Sequence, residues 1–530
     1  MRKSIVLLTL FVFCSSLSML SCKKKDDVNL KLPPTIHTSS KIKSLTPFDS
    51  TLVNTFFIQY PKLQKYQLET TEFYQKRNYQ YIWFDTKGIL EVSHMLYNKL
   101  NNMEEDGIKT TIPYKEKLDN LFQNTTENQK ATVNNELLLT SLYFFYTHKV
   151  LKGIDDKKTA ELGWFLPRKK KSYVSYLDSI IAKPSLINKN EKEVFDQYFR
   201  LKDVLLKYRK IQKDNSWNPI VLDSSTTALK LSDSSQTIAQ IRQRLFILED
   251  IATDSKSAVY DDVLAAGITK YQKRNGQHEN PIISKKTINS LNVPIEDRIK
   301  TITVNMERCR WIDVDIAKAP ELIVINIPSY RLTYFKEGKP VLTSNVVVGK
   351  DMNKTVIFSA DMRYIVFSPY WNVPTSIIKK EIKPGMAKNK NYLAQHNMEW
   401  FNGGIRQKPG PKNSLGLVKF LFPNNNSIYL HDTPSKNLFD EEKRAFSHGC
   451  IRVAKPVELA NEILKDDKNW TPKKIDTAMH KGKESWYTLK NKIPVYIGYF
   501  TAWVDNEGVI HFYDDVYQRD DRLATMLFEE

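Results

Sequence analysis

The sequence predicts a multidomain α+β protein, with a mainly helical N-terminal part and a β-rich domain towards the C-terminus. The chain has 530 residues. Single hydrophobic cores rarely grow beyond about 250–300 residues, so we expect two to four domains. Apolar residues recur at helical spacing in the first half, whereas from Pro320 onward they alternate with polar residues as strands require.

The first predicted domain is a helical scaffold, from about residue 46 to residue 215. The stretches "NELLLTSLYFFYTHKVLKG" and "EVFDQYFRLKDVLLKYRK" repeat apolar residues every three or four positions, which gives a helix one buried face. No set of residues suited to catalysis stands out in this region. The Pro-, Ser- and Asp-rich stretch "SWNPIVLDSSTTALKLSDSSQ" then interrupts the helical pattern and predicts a domain boundary.

A small helical domain is expected next. Two amphipathic helices are followed by the turn "GQHENP". The segment resembles the three-helix peptidoglycan-binding domain of cell-wall enzymes, because Tyr271-Gln272, Gly276 and Leu291-Asn292 stand where that family has Phe-Gln, Gly and Leu-Asn. The resemblance implies binding to peptidoglycan, although such modules can be purely structural.

The last domain is predicted from its strands. The stretch "ELIVINIPSYRLTYFKEGKPVLTSNVVVGK" alternates apolar and polar residues around a hairpin turn, and "MRYIVFSPYWNVP" and "NSIYLHD" add short strands. A helix should begin at Pro456, which suits the first helical turn. A Lys-, Asn- and Gly-rich insertion at about 374–416 is too long for an ordinary connection and is predicted to form a lid.

The N-terminus predicts export and attachment to a lipid. The net charge of +19 suits nucleic acid, an anionic surface or a carboxylate-rich substrate. The start "MRKSIVLLTLFVFCSSLSMLSC" has basic residues and an apolar run too short to span a bilayer. It resembles a bacterial lipoprotein signal, which implies lipidation of Cys22. An exported protein meets no genome, so nucleic acid is excluded; we expect a periplasmic protein anchored in the outer rather than the inner membrane.

Cysteine counting leaves two thiols in the mature chain, Cys309 and Cys450. They lie in different predicted domains and lack the CxxC spacing of a zinc site, so no metal or cofactor is expected. A disulfide between them stays open at this stage. Cys309 has no partner motif and is interpreted as structural.

Two short strands are expected to bring reactive side chains to one cleft. Alternation along residues 427–432 and 450–453 sends every second side chain into the core. The expected core residues are Ile428, Leu430, Ile451 and Val453, and the side chains expected to face the cleft are Tyr429, His431, Cys450 and Arg452.

That set of side chains suits nucleophilic catalysis. An unperturbed thiol has a pKa near 8.5 and is about 3% ionised at pH 7, so a histidine must take its proton, or neighbouring charge must lower its pKa. Gly449 would let the Gly449 and Cys450 amides point at a developing oxyanion. Arg452 would grip a substrate carboxylate. By chemistry alone, a buried structural Cys450 is the alternative.

The stretch "HDTPSKNLFDEEKRAFSHGCIRV" resembles the signature of L,D-transpeptidases with the YkuD-type fold: an upstream His, then Ser/Thr-His-Gly-Cys and an Arg or Asn two residues on. Other stretches resemble the long periplasmic subgroup, which has a scaffold, a peptidoglycan-binding-like domain and a catalytic domain with a capping insertion. The resemblance implies that Cys450 is the nucleophile, His431 its general base and Tyr429 an active-site tyrosine. The supporting positions are Ser447, His448, Gly449 and Arg452.

The resemblance therefore implies an enzyme that forms 3→3 peptidoglycan cross-links through a thioester with a donor tetrapeptide stem, releasing D-Ala. Carbapenems are the covalent inhibitors it implies. An L,D-carboxypeptidase with the same site and a non-catalytic peptidoglycan-tethering lipoprotein stay as alternatives. Asp432, where many members have Gly, and Cys309, where Trp is expected, depart from the family pattern.

The predicted segments are a lipoprotein signal at 1–21, a lipid anchor and tether at 22–45, a helical scaffold at 46–220, a peptidoglycan-binding-like domain at 225–295, a connecting helix at 296–318, a catalytic domain at 319–500 and a C-terminal extension at 501–530.

Overall fold

The computed structural model describes residues 45–123, 130–168, 171–188, 194–214, 217–222 and 227–528. The predicted signal, tether and lipidation residue Cys22 lie outside them. Within the described residues, no helix combines the length and the apolar character that crossing a bilayer demands. The predicted α+β class, with a helical N-terminal region and a β-rich C-terminal domain, is confirmed.

The N-terminal region is built from eight α-helices, several short 3-10 or π-helical segments and three two-residue strands in its described part. The helices are α1 (Thr51–Gln59), α2 (Gln67–Lys76), α3 (Glu91–Asn101), α4 (Lys115–Phe122), α5 (Val133–Thr147), α6 (Asp156–Glu161), α7 (Tyr173–Ala182) and α8 (Gln197–Asp214). The strands are β1 (Phe84–Asp85), β2 (Gly88–Ile89) and β3 (Trp164–Phe165). Helix α5 is buried along almost its whole length, as its dense apolar sequence predicts.

A small module with its own hydrophobic core follows. It contains β4 (Ala228–Leu229), α9 (Gln236–Ile247), α10 (Asp262–Arg274), β5 (Ile283–Ser284) and α11 (Lys285–Leu291). Its apolar residues form a cluster separate from the main core. The buried ion pair between Arg274 and Asp250, with Nη2 and Oδ2 2.5 Å apart, ties α10 to the loop after α9.

Helix α12 (Ile295–Arg310) lies where a connecting helix was expected, and it packs along α8 in the main core. Residues Ile302 to Arg310 are all buried. Glu307 accepts hydrogen bonds from the Ile154 amide at 2.7 Å and from the Trp311 indole at 2.9 Å. Buried charged groups need such partners. Cys309 is also buried here, which raises the pKa of its thiol.

The C-terminal domain is a large mixed sheet with a lid insertion. Its strands are β6 (Glu321–Asn326), β7 (Arg331–Lys336), β8 (Lys339–Gly349), β9 (Ile357–Phe367), β10 (Trp371–Asn372), β11 (Met398–Phe401), β12 (Gly404–Gln407), β13 (Val418–Leu421), β14 (Leu430–His431), β15 (Ala445–Ser447), β16 (Ile451–Val453) and β17 (Ser485–Gly498). Its helices are α13 (Thr375–Ile377), α14 (Lys383–Lys388), α15 (Tyr392–Gln395), α16 (Pro456–Leu464) and α17 (Pro472–His480).

The strands of this sheet are ordered β13-β14-β16-β8-β7-β6-β17-β9. Because β9 also pairs with β13, the hydrogen-bonded order closes on itself. Strand β3 of the N-terminal region pairs in parallel with the start of β9, with Trp164 opposite Ile357 and Phe165 opposite Phe358. The scaffold therefore contributes a strand to the sheet of the last domain.

The lid insertion is a small folded unit rather than a loop. Strands β10, β12 and β11 form a three-stranded sheet, and a π-helical turn at Ile378–Ile382 joins α13 to α14. The unit has its own apolar core, made of Val373, Ile377, Ile378, Ile382, Met398 and Ile405.

The predicted C-terminal extension contains a hairpin and a helix, β18 (Ala502–Val504), β19 (Ile510–Phe512) and α18 (Asp520–Phe528). It packs on α12, where Arg308 pairs with Asp520 at 2.7 Å and Asn305 donates to the Thr501 hydroxyl at 2.7 Å. The predicted domain limits stay predictions, but α12 and this segment both contribute to one continuous core with the scaffold and the large sheet.

Candidate active site

The predicted base His431 lies on β14, and the predicted nucleophile Cys450 comes immediately before the adjacent parallel strand β16. Strand β14 lies between β13 and β16, with Leu430 opposite Ile451 and His431 opposite Arg452. The Ile451 amide donates to the Tyr429 carbonyl at 3.1 Å, so Tyr429 and Cys450 are neighbours just before the two strands begin.

The alternation expected along these strands is present. The four residues expected in the core, Ile428, Leu430, Ile451 and Val453, are buried. Cys450, Arg452 and Tyr429 are half-buried. His431 is more enclosed than a cleft-facing side chain was expected to be, with 4% of its surface exposed.

The turn that carries Cys450 is held by its own hydrogen bonds. The Ser447 hydroxyl donates to the Cys450 carbonyl at 2.5 Å and accepts from the Gly449 amide at 3.1 Å. Gly449 has a φ of +117°, which side-chain-bearing residues rarely adopt. The Gly449 amide was expected to point at a developing oxyanion, but it is hydrogen bonded to the Ser447 hydroxyl inside the turn instead. The Cys450 amide is the candidate that is left.

Two residues that no sequence signal indicated support this turn from behind. The Thr355 hydroxyl donates to the Gly449 carbonyl at 2.8 Å and accepts from the Gly349 amide at 2.9 Å. The Tyr517 hydroxyl in turn accepts from the Thr355 amide at 3.1 Å and donates to the Gly349 carbonyl at 2.7 Å. Thr355 and Tyr517 are both fully enclosed, so these bonds are shielded from water.

A Thr355→Val variant should slow the reaction of the Cys450 thiol with an added acyl donor about tenfold. Valine keeps the shape of threonine but leaves the Gly449 carbonyl and the Gly349 amide unpaired, at a cost of about 1–3 kcal/mol each. The turn then holds the thiol less firmly. Intact-mass kinetics of acylation measures the effect at a temperature where circular dichroism shows the variant folded.

Thr355→Ser should restore the rate because it restores the hydroxyl, and Thr488→Val, on an exposed stretch of β17, should have no effect. An acylation rate equal to that of the unchanged protein in Thr355→Val would contradict a positioning role.

The Cys450 thiol sits in an enclosed, hydrogen-bonded position. Its Sγ donates to the Ser427 carbonyl at 3.5 Å, and it also hydrogen bonds with the Tyr429 hydroxyl and amide. Burial raises the pKa of Cys450, and the two bonds from Tyr429 offset this only in part. The thiol is therefore protonated at rest, and the expected lowering of its pKa is not found.

His431 is a neutral imidazole in the same structure. Burial, and then the positive charge of Arg452, lower the pKa of His431 to about 4. Its Nδ1 lies 2.5 Å from the Asp432 carbonyl. An Nδ1 proton donated to that carbonyl leaves a lone pair on Nε2, which can accept a proton. The His431 ring centroid lies 5.7 Å from that of Tyr429, so the tyrosine borders both thiol and imidazole.

The Tyr429 hydroxyl stays protonated, because burial and then the adjacent Cys450 raise its pKa. It hydrogen bonds with Cys450 and with Trp371 on β10, at the base of the lid. Trp371 belongs to the stretch "MRYIVFSPYWNVP", which was predicted to form a strand, but nothing in the sequence indicated this contact.

Arg452 has spare hydrogen-bonding capacity beside His431. Its Nε is buried and has no partner among the described residues, and burial lowers the pKa of its guanidinium. A planar guanidinium with unmet donors suits a carboxylate ligand. The same charge adds to the effect of burial in lowering the pKa of His431, a second effect that residue type alone did not indicate.

His448 contacts the lid. Its side chain is 41% exposed, and its Nε2 lies 3.0 Å from Glu381 Oε1 in the lid. This pair connects the lid to the turn that carries Cys450.

Asp432, which departs from the family pattern, has a structural role. Its carboxylate accepts from the Leu417 amide at 2.9 Å and pairs with Lys436 at 2.5 Å.

Cys309 and Cys450 are both free thiols, so the disulfide that the sequence left open is not formed. Among the described residues, no group of three or more His, Cys, Asp or Glu side chains is arranged to hold a metal ion.

Comparison with known families agrees with this arrangement. Residues 320–484 match the model of the L,D-transpeptidase catalytic domain, YkuD. Residues 69–205 match the model of a scaffold domain. The chain thus carries a YkuD-family L,D-transpeptidase catalytic domain together with a scaffold domain, as its sequence signature implied.

A Haemophilus influenzae protein provisionally named as an L,D-transpeptidase is 32% identical over 222 residues, which are 38% of this chain and 45% of that protein. The matched part is thus less than half of the relative. A solved L,D-transpeptidase fragment from Xylanimonas cellulosilytica is 11% identical over 52% of this chain and 100% of its own, with a TM-score of 0.18. The Mycobacterium smegmatis enzyme is 12% identical over 34% of this chain and 58% of its own, with a TM-score of 0.20. Scores this low carry no argument about function.

Proposed function

We propose that the protein is an L,D-transpeptidase that forms 3→3 cross-links between peptidoglycan stems through a thioester at Cys450. The observation that carries this proposal is the placement of Cys450 immediately before β16, next to the strand β14 that holds the neutral imidazole of His431, within the segment that matches the YkuD domain. A thiol with a proton acceptor on the next strand is suited to nucleophilic acyl transfer.

The thiol attacks the carbonyl of the third stem residue, and its proton passes to His431 Nε2 as the S–C bond forms. Because thiol and imidazole are both neutral at rest, proton transfer accompanies the attack. The tetrahedral intermediate then loses D-Ala, whose nitrogen takes the proton from His431, and a thioester is left. The side-chain amine of an acceptor stem attacks the thioester, gives up a proton through His431 and releases the Cys450 thiol.

Substrate binding would strengthen the base. A proton acceptor with a pKa of about 4 is weak, and part of the depression comes from the charge of Arg452. A stem carboxylate held by Arg452 would offset that charge and raise the pKa of His431. His431 would thus gain basicity only when a carboxylate-bearing stem is in place.

The lid suits the same anionic substrate. Residues 374–416 contain eight Lys or Arg side chains and two Glu side chains. Arg406 and Lys408 pair with Glu399. Positive surface beside the thiol would attract stems rich in carboxylates. A lid tethered at His448 would also limit the entry of water and favour an amine as acceptor.

Lipidation at Cys22 would anchor the protein in the outer membrane with its domains in the periplasm, and the three-helix module would bind peptidoglycan. Carbapenems would acylate Cys450, because their strained lactam carbonyl is open to attack by the thiol.

The decisive test incubates the purified protein with tetrapeptide muropeptides and identifies the products by mass spectrometry. We expect 3→3 cross-linked dimers and free D-Ala. Tripeptides without dimers would replace the proposal with an L,D-carboxypeptidase that uses the same residues. Wall binding without either product, and without a carbapenem adduct on Cys450, would indicate a non-catalytic tether.

A further inference from the structure

A cleft of about 1040 Å³ separates the large sheet from the helical parts of the chain, away from Cys450. We call it the interdomain cleft. It is bordered by the outer face of the sheet, the start of α8, the C-terminal hairpin and the "GQHENP" turn of the three-helix module. Its volume lies at the upper end of the range for ligand sites, roughly 300–1,000 Å³.

The floor of the cleft is one row of side chains across four strands. Tyr496 on β17 lies opposite Val324 on β6, Val324 lies opposite Thr333 on β7, and Thr333 lies opposite Thr343 on β8. All four residues line the cleft, and none of them is buried. The face of the sheet that carries this row is thus not covered, although helices lie on the opposite side of the cleft.

Aromatic side chains surround the opening. Phe335 and Tyr496 stand on the sheet, Phe195 precedes α8, and Trp503 and Tyr513 belong to the C-terminal segment. All five are half-buried. An aromatic ring gives a flat apolar contact area and, in Tyr and Trp, a polar group at its edge.

The charges that line the cleft compensate one another. Six Lys or Arg side chains and seven Asp or Glu side chains line it, in a chain whose net charge is +19. Several of these pair directly: Arg200 with Asp196 at 2.9 Å, His511 with Asp505 at 2.8 Å, and Lys286 with Glu442. A polyanion would find no excess of positive charge here.

The cleft is bridged at both sides by contacts between different parts of the chain. Glu442, six residues before His448, accepts from the His278 amide of the module turn at 2.8 Å. Arg200 donates to the Asp505 carbonyl at 3.0 Å and to Asn506 Oδ1 at 3.2 Å. Such bridges keep the walls in place, so the cleft is preformed.

We propose that the interdomain cleft binds a glycan strand of N-acetylated amino sugars, with sugar rings stacked on its half-buried aromatic side chains and hydroxyl and amide groups bonded to its paired polar side chains. A polymer with flat apolar ring faces and few charges matches a surface that is aromatic, polar and nearly balanced in charge. The choice of an amino-sugar glycan rests on the proposed function, because the polymer that carries stem peptides is such a strand.

The test measures binding of chitohexaose, and of peptide-free glycan strands, to the full-length protein by isothermal calorimetry. We expect binding that Thr343→Trp weakens at least tenfold, because the indole would fill the floor of the cleft from an exposed strand position. Thr488→Trp is the matched control, an exposed threonine on β17 outside the cleft, and should bind as the unchanged protein does. Tyr496→Ala is a second variant, which removes an aromatic ring without adding bulk.

Because chitohexaose is uncharged, its affinity should change less than about twofold between low and physiological salt. The proposal is overturned if the unchanged protein binds neither glycan, if Thr343→Trp and Tyr496→Ala bind normally, or if binding requires attached stem peptides. Acylation of Cys450 by a carbapenem, read by intact mass in every variant, reports on the proposed function separately. A protein that binds glycan but is not acylated would refute only the enzymatic proposal.

Discussion

Replacing Cys450 with alanine is expected to abolish both the thioester adduct and the 3→3 dimer, with turnover falling by at least about 10⁴-fold. The Ser447 hydroxyl on the same turn is not expected to replace the thiol, since it donates to the Cys450 carbonyl and accepts from the Gly449 amide. Product analysis on tetrapeptide muropeptides and intact mass after carbapenem exposure measure the two losses.

Cys309→Ala is the matched control, because Cys309 is the other free thiol of the described chain. It is buried in α12 among the main core residues, so its loss should lower the free energy of unfolding by about 1 kcal/mol and leave acylation intact. A carbapenem adduct on Cys450→Ala, or the absence of one on Cys309→Ala, would sink the assignment of the nucleophile.

The second large effect is expected from His431. His431→Gln should lower the acylation rate about 10²–10⁴-fold, the range that general base catalysis supplies. The matched control is His448→Gln, which alters only the contact with Glu381 and should change the rate a few-fold. If His448→Gln proved the more damaging variant, the roles of the two histidines would have to be exchanged.

The pH dependence gives an independent signature of His431. In the unfolded chain its imidazole takes up a proton near pH 6.5, whereas in the folded protein it stays neutral down to about pH 4. Between these values the unfolded state binds more protons. The contribution of His431 to the free energy of unfolding should therefore be complete above about pH 6.5. It should decrease as the pH falls towards 4, by about 2 kcal/mol at pH 5. Urea denaturation should show that this part of the decline is missing in His431→Gln.

Much of the site could be predicted from the sequence because it depends on local rules. Alternation along two short strands was enough to sort Ile451 and Val453 from Cys450 and Arg452, and the structure has the same sorting. The helix at Pro456 and the hairpin around Gly338 likewise follow from single residues with restricted or unusual backbone conformations.

What the sequence could not predict depends on contacts between distant segments. Thr355 and Tyr517 meet Gly449 only after the fold is complete, and neither belongs to a recognisable motif. The sequence also could not predict the protonation states of Cys450 and His431. Residue type left two routes to a reactive thiol, a histidine that takes its proton or neighbours that lower its pKa. The degree of burial leaves a neutral thiol and a neutral imidazole, which favours the first route.

The strand β3 has a consequence for how the chain reaches its final form. Trp164 and Phe165 are synthesised almost two hundred residues before Ile357 and Phe358, their partners on β9. Contacts between residues this far apart in the sequence form late in folding, and they lower the folding rate. A fragment that begins at residue 320 would in addition expose the edge of β9 that β3 occupies, and open edges invite aggregation. The part of the chain that carries the thiol is therefore poorly suited to expression as a separate domain. Its solubility depends on a segment that is synthesised long before it.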